Sequence, residues 1–456
     1  MLQPVPAEGQ NGLRFTDRQL VSLILPLLLE QFLAIGVGLA DSMMVSAAGE
    51  AAVSAVSLVD SISNLMIYIF SAMAAGGAAV AGQYVGRREQ ENACNAGQHL
   101  VLLLAVTSLA VTALMYLFKG AILHAVFGQI EPEVMAATDT YYTIVTASIP
   151  GIALYNGGAA IYRTMERSDM SLKVSLLMNG LNIGGNALLI FGLGMGVEGA
   201  AIPTLVSRLA AAAVILGCLF NPRLPLHLSN LRAFSLQPRL LRNIFYIGVP
   251  SGVENGMFQL GRLVLYSLIS TFGTASIVAN AIGNTLGNFH CFAGMAVSLG
   301  TATVTSECVG AGEFDGARWY LRRLTKAAYA LMIGTNLLLL LLLPAIMQVY
   351  HVSPESERLA IIVSVLHGVA AMGIWVPSFL LPSFLRAAGD ARYTMLVSMC
   401  SMWLCRVAFA YLFGKVLGFG VIGVWTAHSF LDWTARAVVF YLRYRSGKWT
   451  EKAIAG

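Results

Sequence analysis

The sequence predicts an all-α polytopic membrane protein with twelve transmembrane helices in two parallel six-helix repeats. Three observations lead there. Hydrophobic residues make up 57% of the 456-residue chain and charged residues 11%, with a mean hydropathy of +0.72. Soluble domains carry about 25% charged residues. The apolar residues gather into twelve stretches, each long enough for the roughly 20-residue crossing a bilayer requires. Adding 224 to a residue number then lays the first half on the second. Pro26 falls on Pro250, Glu30 on Glu254, Gly49 on Gly273, Gly76 on Gly300 and Gly86 on Gly310. The register returns downstream, where Gly194, Gly196, Val197 and Gly199 fall on Gly418, Gly420, Val421 and Gly423.

The first six segments are read at 19–46, 51–82, 93–118, 135–162, 170–194 and 198–220. The second six are read at 241–271, 275–305, 320–349, 358–386, 392–416 and 420–444. This divides the chain into an N-terminal tail (1–18), an N-terminal bundle (19–220), a linker (221–240), a C-terminal bundle (241–444) and a C-terminal tail (445–456). The linker is polar and carries Pro222, Pro225 and Pro238. No short apolar core with a small-residue cleavage site precedes the first segment, so that segment is read as an uncleaved membrane helix rather than a signal peptide.

Basic residues set the orientation. Lys119, Arg358 and Lys415 alone stand in one set of loops, and Arg208, Arg262, Arg406 and Arg436 lie inside segments. The rest of the 28 Lys and Arg sit at the opposite ends, with the tails and the linker. Both termini are therefore expected on the cytoplasmic side of the inner membrane. An even number of crossings per half makes the repeats parallel, and two such bundles around a central cavity would suit alternating access.

Polar residues within the segments are the candidate functional groups. Glu30 and Asp41 lie eleven residues apart in the first segment, about 20° apart around a helix and about 16 Å apart along it. Acids at bilayer depth cost at least about 2.5 kcal/mol and face a cavity or a partner. Asn182 and Asn186 share a face of the fifth segment at i, i+4. Beside two carboxylates in the same half they read as a cation or proton site, although asparagine in a bundle is also interhelical glue. In the second half Glu254 is the counterpart of Glu30, with Arg262 eight residues on. Asp432 and Arg436, four apart on the last segment, are read as a structural ion pair.

Other features have plainer readings. The two Gly-x-Gly-x-x-Gly runs, at 194–199 and 418–423, lack the βαβ context of a dinucleotide site and read as tight turns between helices. The run Ala72 to Gly86 and its image Ala296 to Gly310 are small-residue packing faces. Six cysteines without CxxC spacing are buried hydrophobes rather than ligands or disulfides. Tyr68, Tyr155, Tyr266, Met295 and Trp375 are read first as packing or lipid-facing residues. No catalytic motif stands out, so an enzyme is not expected, nor is a cofactor, a nucleic-acid partner or an obligate protein partner.

Several runs together resemble the multidrug and toxic compound extrusion (MATE) family of the MOP flippase superfamily. In the first half these are Pro26, Ala40-Asp41-Ser42, Gly49, Gln83-Tyr84-Val85-Gly86, and Asn182 and Asn186 with Ile190-Phe191-Gly192. In the second they are Phe272-Gly273, Ala279-Asn280-Ala281, Val309-Gly310-Ala311-Gly312 and Leu385-Arg386-Ala387-Ala388-Gly389-Asp390. The resemblance spans about 20 to 444. It implies a secondary antiporter that expels organic cations or amphipathic compounds in exchange for Na+ or H+. It places the family's first-helix aspartate on Asp41 and its fifth-helix polar pair on Asn182 and Asn186, the second of which has lost its charge. Phe258 and Trp375 stand where one branch of the family has acids, leaving Glu254 as the acid nearest that level. Asp41, Asn182 and Asn186 are the expected coupling-ion site, and Glu30 and Glu254 are secondary acids. The alternatives are a flippase for a lipid-linked saccharide and, from another class, a non-transporting receptor or scaffold.

Overall fold

Apolar segments cannot leave backbone polar groups unpaired in lipid, so each must close its hydrogen bonds internally as a helix. The structure, a computed structural model, describes residues 14–127, 131–228 and 235–453. Most of the N-terminal tail, and Arg232 in the linker, lie outside the described residues. The described chain is helical, with twelve crossings whose ends fall within a few residues of expectation.

The first crossing, α1 (Asp17–Ser46), opens on a capping box. The Gln19 amide donates to the Thr16 hydroxyl, and the Thr16 amide donates to the Gln19 carboxamide at 2.8 Å. Such a box satisfies donors that the helix start leaves open. Next come α2 (Glu50–Gly86) and α3 (Gln90–Leu117), the latter extended by α4 (Lys119–Phe127). The fourth crossing is a pair, α5 (Pro132–Thr146) and α6 (Ile149–Thr164), bent by 41°. The fifth is α7 (Ser168–Asn186) running into a π turn at Ala187–Gly192, and the sixth is α8 (Glu198–Leu219).

The second half begins with α9 (Pro238–Ser270), α10 (Thr274–Gly310) and α11 (Phe314–Tyr350). The tenth crossing joins α12 (Pro354–Ala370) to α13 (Val376–Ala387) through a π turn at Ala371–Trp375. The eleventh continues α14 (Ala391–Cys400) through π turns at Ser401–Ala408 and Tyr411–Val416. The twelfth joins α15 (Gly420–Thr426) to α16 (Trp433–Arg445) through a π turn at Ala427–Asp432. Eight stretches are long and apolar enough to cross a bilayer on their own, and the bent pair makes a ninth. The three crossings that fall short are α9, α10 and the twelfth, which carry Glu254, Arg262, Asn280, Asn284, Asp432 and Arg436.

The repeat register persists in the backbone. Glu50–Gly86 and Thr274–Gly310 are both 37 residues long and begin 224 apart. Each follows a glycine in the left-handed region, Gly49 at φ 102° and Gly273 at φ 93°, a conformation that costs glycine least. The π turns at Ala187–Gly192 and Tyr411–Val416 also correspond. So do the left-handed Gly194 and Gly418 in the turns that come after them.

The chain forms two compact units, 1–252 and 253–456, the first taking in the opening turns of α9. Within the first unit, α2 is buried through its glycine- and alanine-rich end. A Cβ on Gly76 would come within 2.7 Å of the Gly248 backbone, and one on Gly77 within 2.4 Å of Leu100. Within the second unit one apolar cluster gathers Leu265, Ile269, Met402, Val421 and Trp425. Outward faces expose Val21, Leu25, Leu341, Val349 and Val416, surface that lipid covers in a membrane protein.

Candidate functional site

In the first unit the polar residues within the crossings sort into two groups. One is centred on Glu30. Its carboxylate accepts from the Ser171 hydroxyl at 2.7 Å and from the Tyr155 hydroxyl at 3.3 Å. Tyr155 and Ser171 are buried on α6 and α7. Among the described residues no cation pairs with Glu30; two hydroxyls hold it.

The other group is centred on Asp41, three turns further along α1. The Asn186 carboxamide nitrogen donates to Asp41 Oδ1. Asn186 is fully buried, and its own Oδ1 is an acceptor with no donor. It is the last residue of α7 before the π turn, and π turns concentrate at functional positions. Asn182, a turn earlier, donates instead to the Thr204 hydroxyl at 3.1 Å. The structure therefore brings Asn186 to Asp41 and directs Asn182 to α8.

Three further residues complete this group. Arg208 on α8 donates to the Ser148 hydroxyl at 2.9 Å, and its charge acts on both Asp41 and Asp60. Asp60 on α2 accepts from the Tyr141 hydroxyl at 3.4 Å. Two acids thus share one guanidinium, leaving an excess of one negative charge when both are ionised. Asp60 was legible as another acid inside an apolar segment. Tyr141 gave no signal, because a buried tyrosine is indistinguishable in sequence from a packing one.

In the second unit Glu254 has two cationic partners. Arg386 Nη1 lies 3.2 Å from both of its carboxylate oxygens, and Arg436 Nη2 lies 3.8 Å from Oε1. Arg262, the cation nearest in sequence, turns instead to Tyr266 and Asn284. The expected pair of Asp432 with Arg436 does not form among the described residues. Asp432 accepts from the Ser401 hydroxyl, while Arg436 turns to Glu254 and lies over the rings of Phe258 and Phe379 at 5.0 and 4.5 Å. Spacing along one helix gives opportunity, but partners on neighbouring helices decide. Trp375 is buried, stacked on Phe379 at 4.8 Å between ring centroids. Tyr68, Tyr266 and Met295 are exposed.

The MatE family model matches this chain twice, over residues 26–188 and 250–412. The two matches start 224 residues apart and end 224 residues apart. This chain belongs to the MatE family. MatE relatives span nearly its full length. The uncharacterized transporter YisQ of Bacillus subtilis is 28% identical over 442 residues, covering 96% of each chain. The probable multidrug resistance protein NorM of Xanthomonas axonopodis pv. citri is also 28% identical, again over 96% of each. Among solved structures, an outward-facing multidrug resistance MATE family transporter of the MOP superfamily aligns with a TM-score of 0.89. It is 21% identical and covers 95% of this chain and 96% of its own. A MOP superfamily transporter from Pyrococcus furiosus aligns at 0.88, with 20% identity over 95% of this chain and 96% of its own. At that identity the likeness fixes the MatE fold, twelve helices in two six-helix repeats. MatE proteins are multidrug efflux transporters, multi-pass membrane proteins rather than enzymes.

Proposed function

We propose that this MatE protein is a secondary antiporter that exports organic cations or amphipathic compounds in exchange for Na+ or H+. Asp41 carries the coupling ion, Asn186 orients it, and Asn182 supports the same face through Thr204. The observation that carries the reading is the Asp41–Asn186 contact. It sets a carboxylate against a buried carboxamide whose oxygen has no donor. A carboxylate and an orphan carbonyl oxygen are hard ligands of the kind that hold a small cation. A buried acceptor without a donor is costly until something fills its place. Filling it lowers the cost of the acid and changes what α1 presents to its neighbours. Pro26 removes one backbone hydrogen bond from that helix and gives it a place to bend.

The names of several relatives, probable multidrug resistance proteins, support small organic cargo. They do not favour the lipid-linked saccharide alternative. The distribution of Lys and Arg supports both termini on the cytoplasmic side of the inner membrane.

The test is efflux of a fluorescent organic cation from proteoliposomes under separately imposed Na+ and H+ gradients. One gradient is expected to drive flux in the wild type, with flux in Asp41→Asn lower by at least about tenfold. Asparagine keeps the shape and removes the charge. Undiminished gradient-driven flux in that variant ends the assignment of Asp41.

A further inference from the structure

The second unit contains a small pocket near the ends of α9 and α10 that meet at Gly273. Arg262, Asn280, Asn284, Arg406, Trp425 and His428 are among its walls, and no carboxylate lines it. Two guanidiniums thus share a small space inside membrane-crossing helices with no anion facing them.

Neither arginine is satisfied by the protein. Arg262 reaches the Tyr266 hydroxyl at 3.5 Å and Asn284 Oδ1 at 3.4 Å, both neutral and both at the long limit of a hydrogen bond. Arg406 makes no hydrogen bond and no ion pair among the described residues, and its buried Nε has no partner. The acids that could serve lie elsewhere. Glu254 is held by Arg386 and Arg436. Asp432 acts on Arg406 only through its charge, being fully buried against Ser401 outside the pocket wall.

The repeat shows what kind of place this is. In the 224-residue register Asp41 corresponds to Leu265, Asp60 to Asn284, Asn182 to Arg406 and Arg208 to Asp432. Leu265, Asn284 and Arg406 all line the pocket. The pocket therefore stands at the repeat counterpart of the Asp41 region: both acids have become neutral, Asn182 has become a cation and Arg208 an acid, while Asn186, the residue that contacts Asp41, has become Ala410. One backbone plan thus carries carboxylates in the first unit and guanidiniums in the second.

We propose that this pocket binds the anionic group, a carboxylate or a phosphate, of an amphipathic small molecule. Guanidinium forks match both groups with paired, charge-assisted hydrogen bonds. Trp425, Leu265 and Ile269 supply the apolar wall for the remainder of the molecule. Binding does not depend on ion coupling. That the ligand is also cargo rests on the export reading.

The experiment uses the full chain in phosphatidylcholine nanodiscs and three probes, indole-3-acetate, phenyl phosphate and tryptamine. Indole-3-acetate and tryptamine share the aromatic body and differ in the sign of the charge. At least one anion is expected to bind about tenfold more tightly than tryptamine. Arg406→Gln and Arg262→Gln should each weaken it by about tenfold, the range for one charge-assisted contact. Arg406→Lys, which keeps the charge, should weaken it less and guards against loss through misfolding. Displacement of the anion by added phosphatidylglycerol in the wild type, absent in both Gln variants, also supports an anion site and identifies a lipid headgroup as its occupant. Equal binding of tryptamine and both anions, no binding of either anion, or anion binding unaltered in folded Gln variants overturns the proposal. The flux assay keeps the two readings apart. Anion binding without gradient-driven flux defeats the antiport reading alone. Gradient-driven flux without anion binding defeats this one alone.

Discussion

Glu30 and Glu254 occupy the same position in the two repeats, yet their surroundings differ in kind. Glu30 is held by two neutral hydroxyls, from Ser171 and Tyr155. Glu254, 4% exposed, stands between Arg386 and Arg436, the latter 2% exposed. Removing one member of a buried ion pair leaves an uncompensated charge and costs about 3–5 kcal/mol. Glu254→Gln should therefore lower stability by about 3 kcal/mol. Glu30→Gln, whose carboxamide oxygen still accepts from one hydroxyl while its NH2 can donate to the oxygen of the other, should cost under about 1.5 kcal/mol, the worth of a typical hydrogen bond. Denaturant-induced unfolding in detergent, monitored by fluorescence, measures both; equal losses would mean that Arg436 does not need Glu254. The same comparison separates structure from transport. Glu254 is tied up by its arginines, whereas Asp41 accepts, among the described residues, only from the carboxamide nitrogen of Asn186, whose own oxygen has no donor.

At the scale of elements, the Gly-x-Gly-x-x-Gly runs do mechanical work. Gly194 and Gly418 take positive φ in the turns that end the fifth and eleventh crossings. The third glycine of each run is set by packing, and differently in the two halves. A Cβ on Gly423 would lie 2.7 Å from the Phe413 carbonyl carbon and 2.9 Å from the Gly414 amide nitrogen. Backbone cannot move aside as a side chain can. On Gly199 the nearest atoms are Ile190 Cγ1 at 3.0 Å and Met195 Cβ at 3.1 Å, both in side chains. Overpacking costs about 1–3 kcal/mol, so Gly423→Ala should fall near the top of that range and Gly199→Ala near or below the bottom. Thermal midpoints of the two variants in one detergent decide it; a Gly199→Ala loss as large as that of Gly423→Ala would count against this reading. The π turns after α7 and before Leu417 belong to the same device. They begin directly after Asn186 and its counterpart Ala410, so the extra residue per turn redirects the chain beyond these positions.

Across the whole molecule, charge placement and duplication are the governing facts. The basic residues at one set of helix ends predict that both termini lie in the cytoplasm. A cytoplasm-dependent fluorescent protein and a periplasm-dependent phosphatase, fused in turn to residue 456, make the comparison. Phosphatase activity would reverse the assignment of every loop. Duplication supplied two copies of one six-helix plan, and the copies differ in their polar groups. The first keeps Asp41 and Asp60 with Arg208; the second has Arg406, Arg262, Arg386 and Arg436 with Glu254 and Asp432.

Much of this is legible in the sequence alone. Twelve apolar runs, their ends within a few residues, and the 224-residue register come from sequence because a bilayer allows an apolar segment little besides a full-length helix. The register needs only identities of glycine, proline and glutamate at matching places. Asp41 stood out as a candidate because an acid at bilayer depth requires an explanation. Only the tertiary structure could decide which polar groups meet. Asn186 and not Asn182 reaches Asp41, Arg386 closes on Glu254 from a position whose charge had only a topological meaning in the sequence, and Asp432 abandons Arg436 for Ser401. Each of those contacts joins different helices. Sequence spacing constrains partners on one helix, where geometry repeats every 3.6 residues; which side chains face each other across two helices depends on how the helices pack and turn.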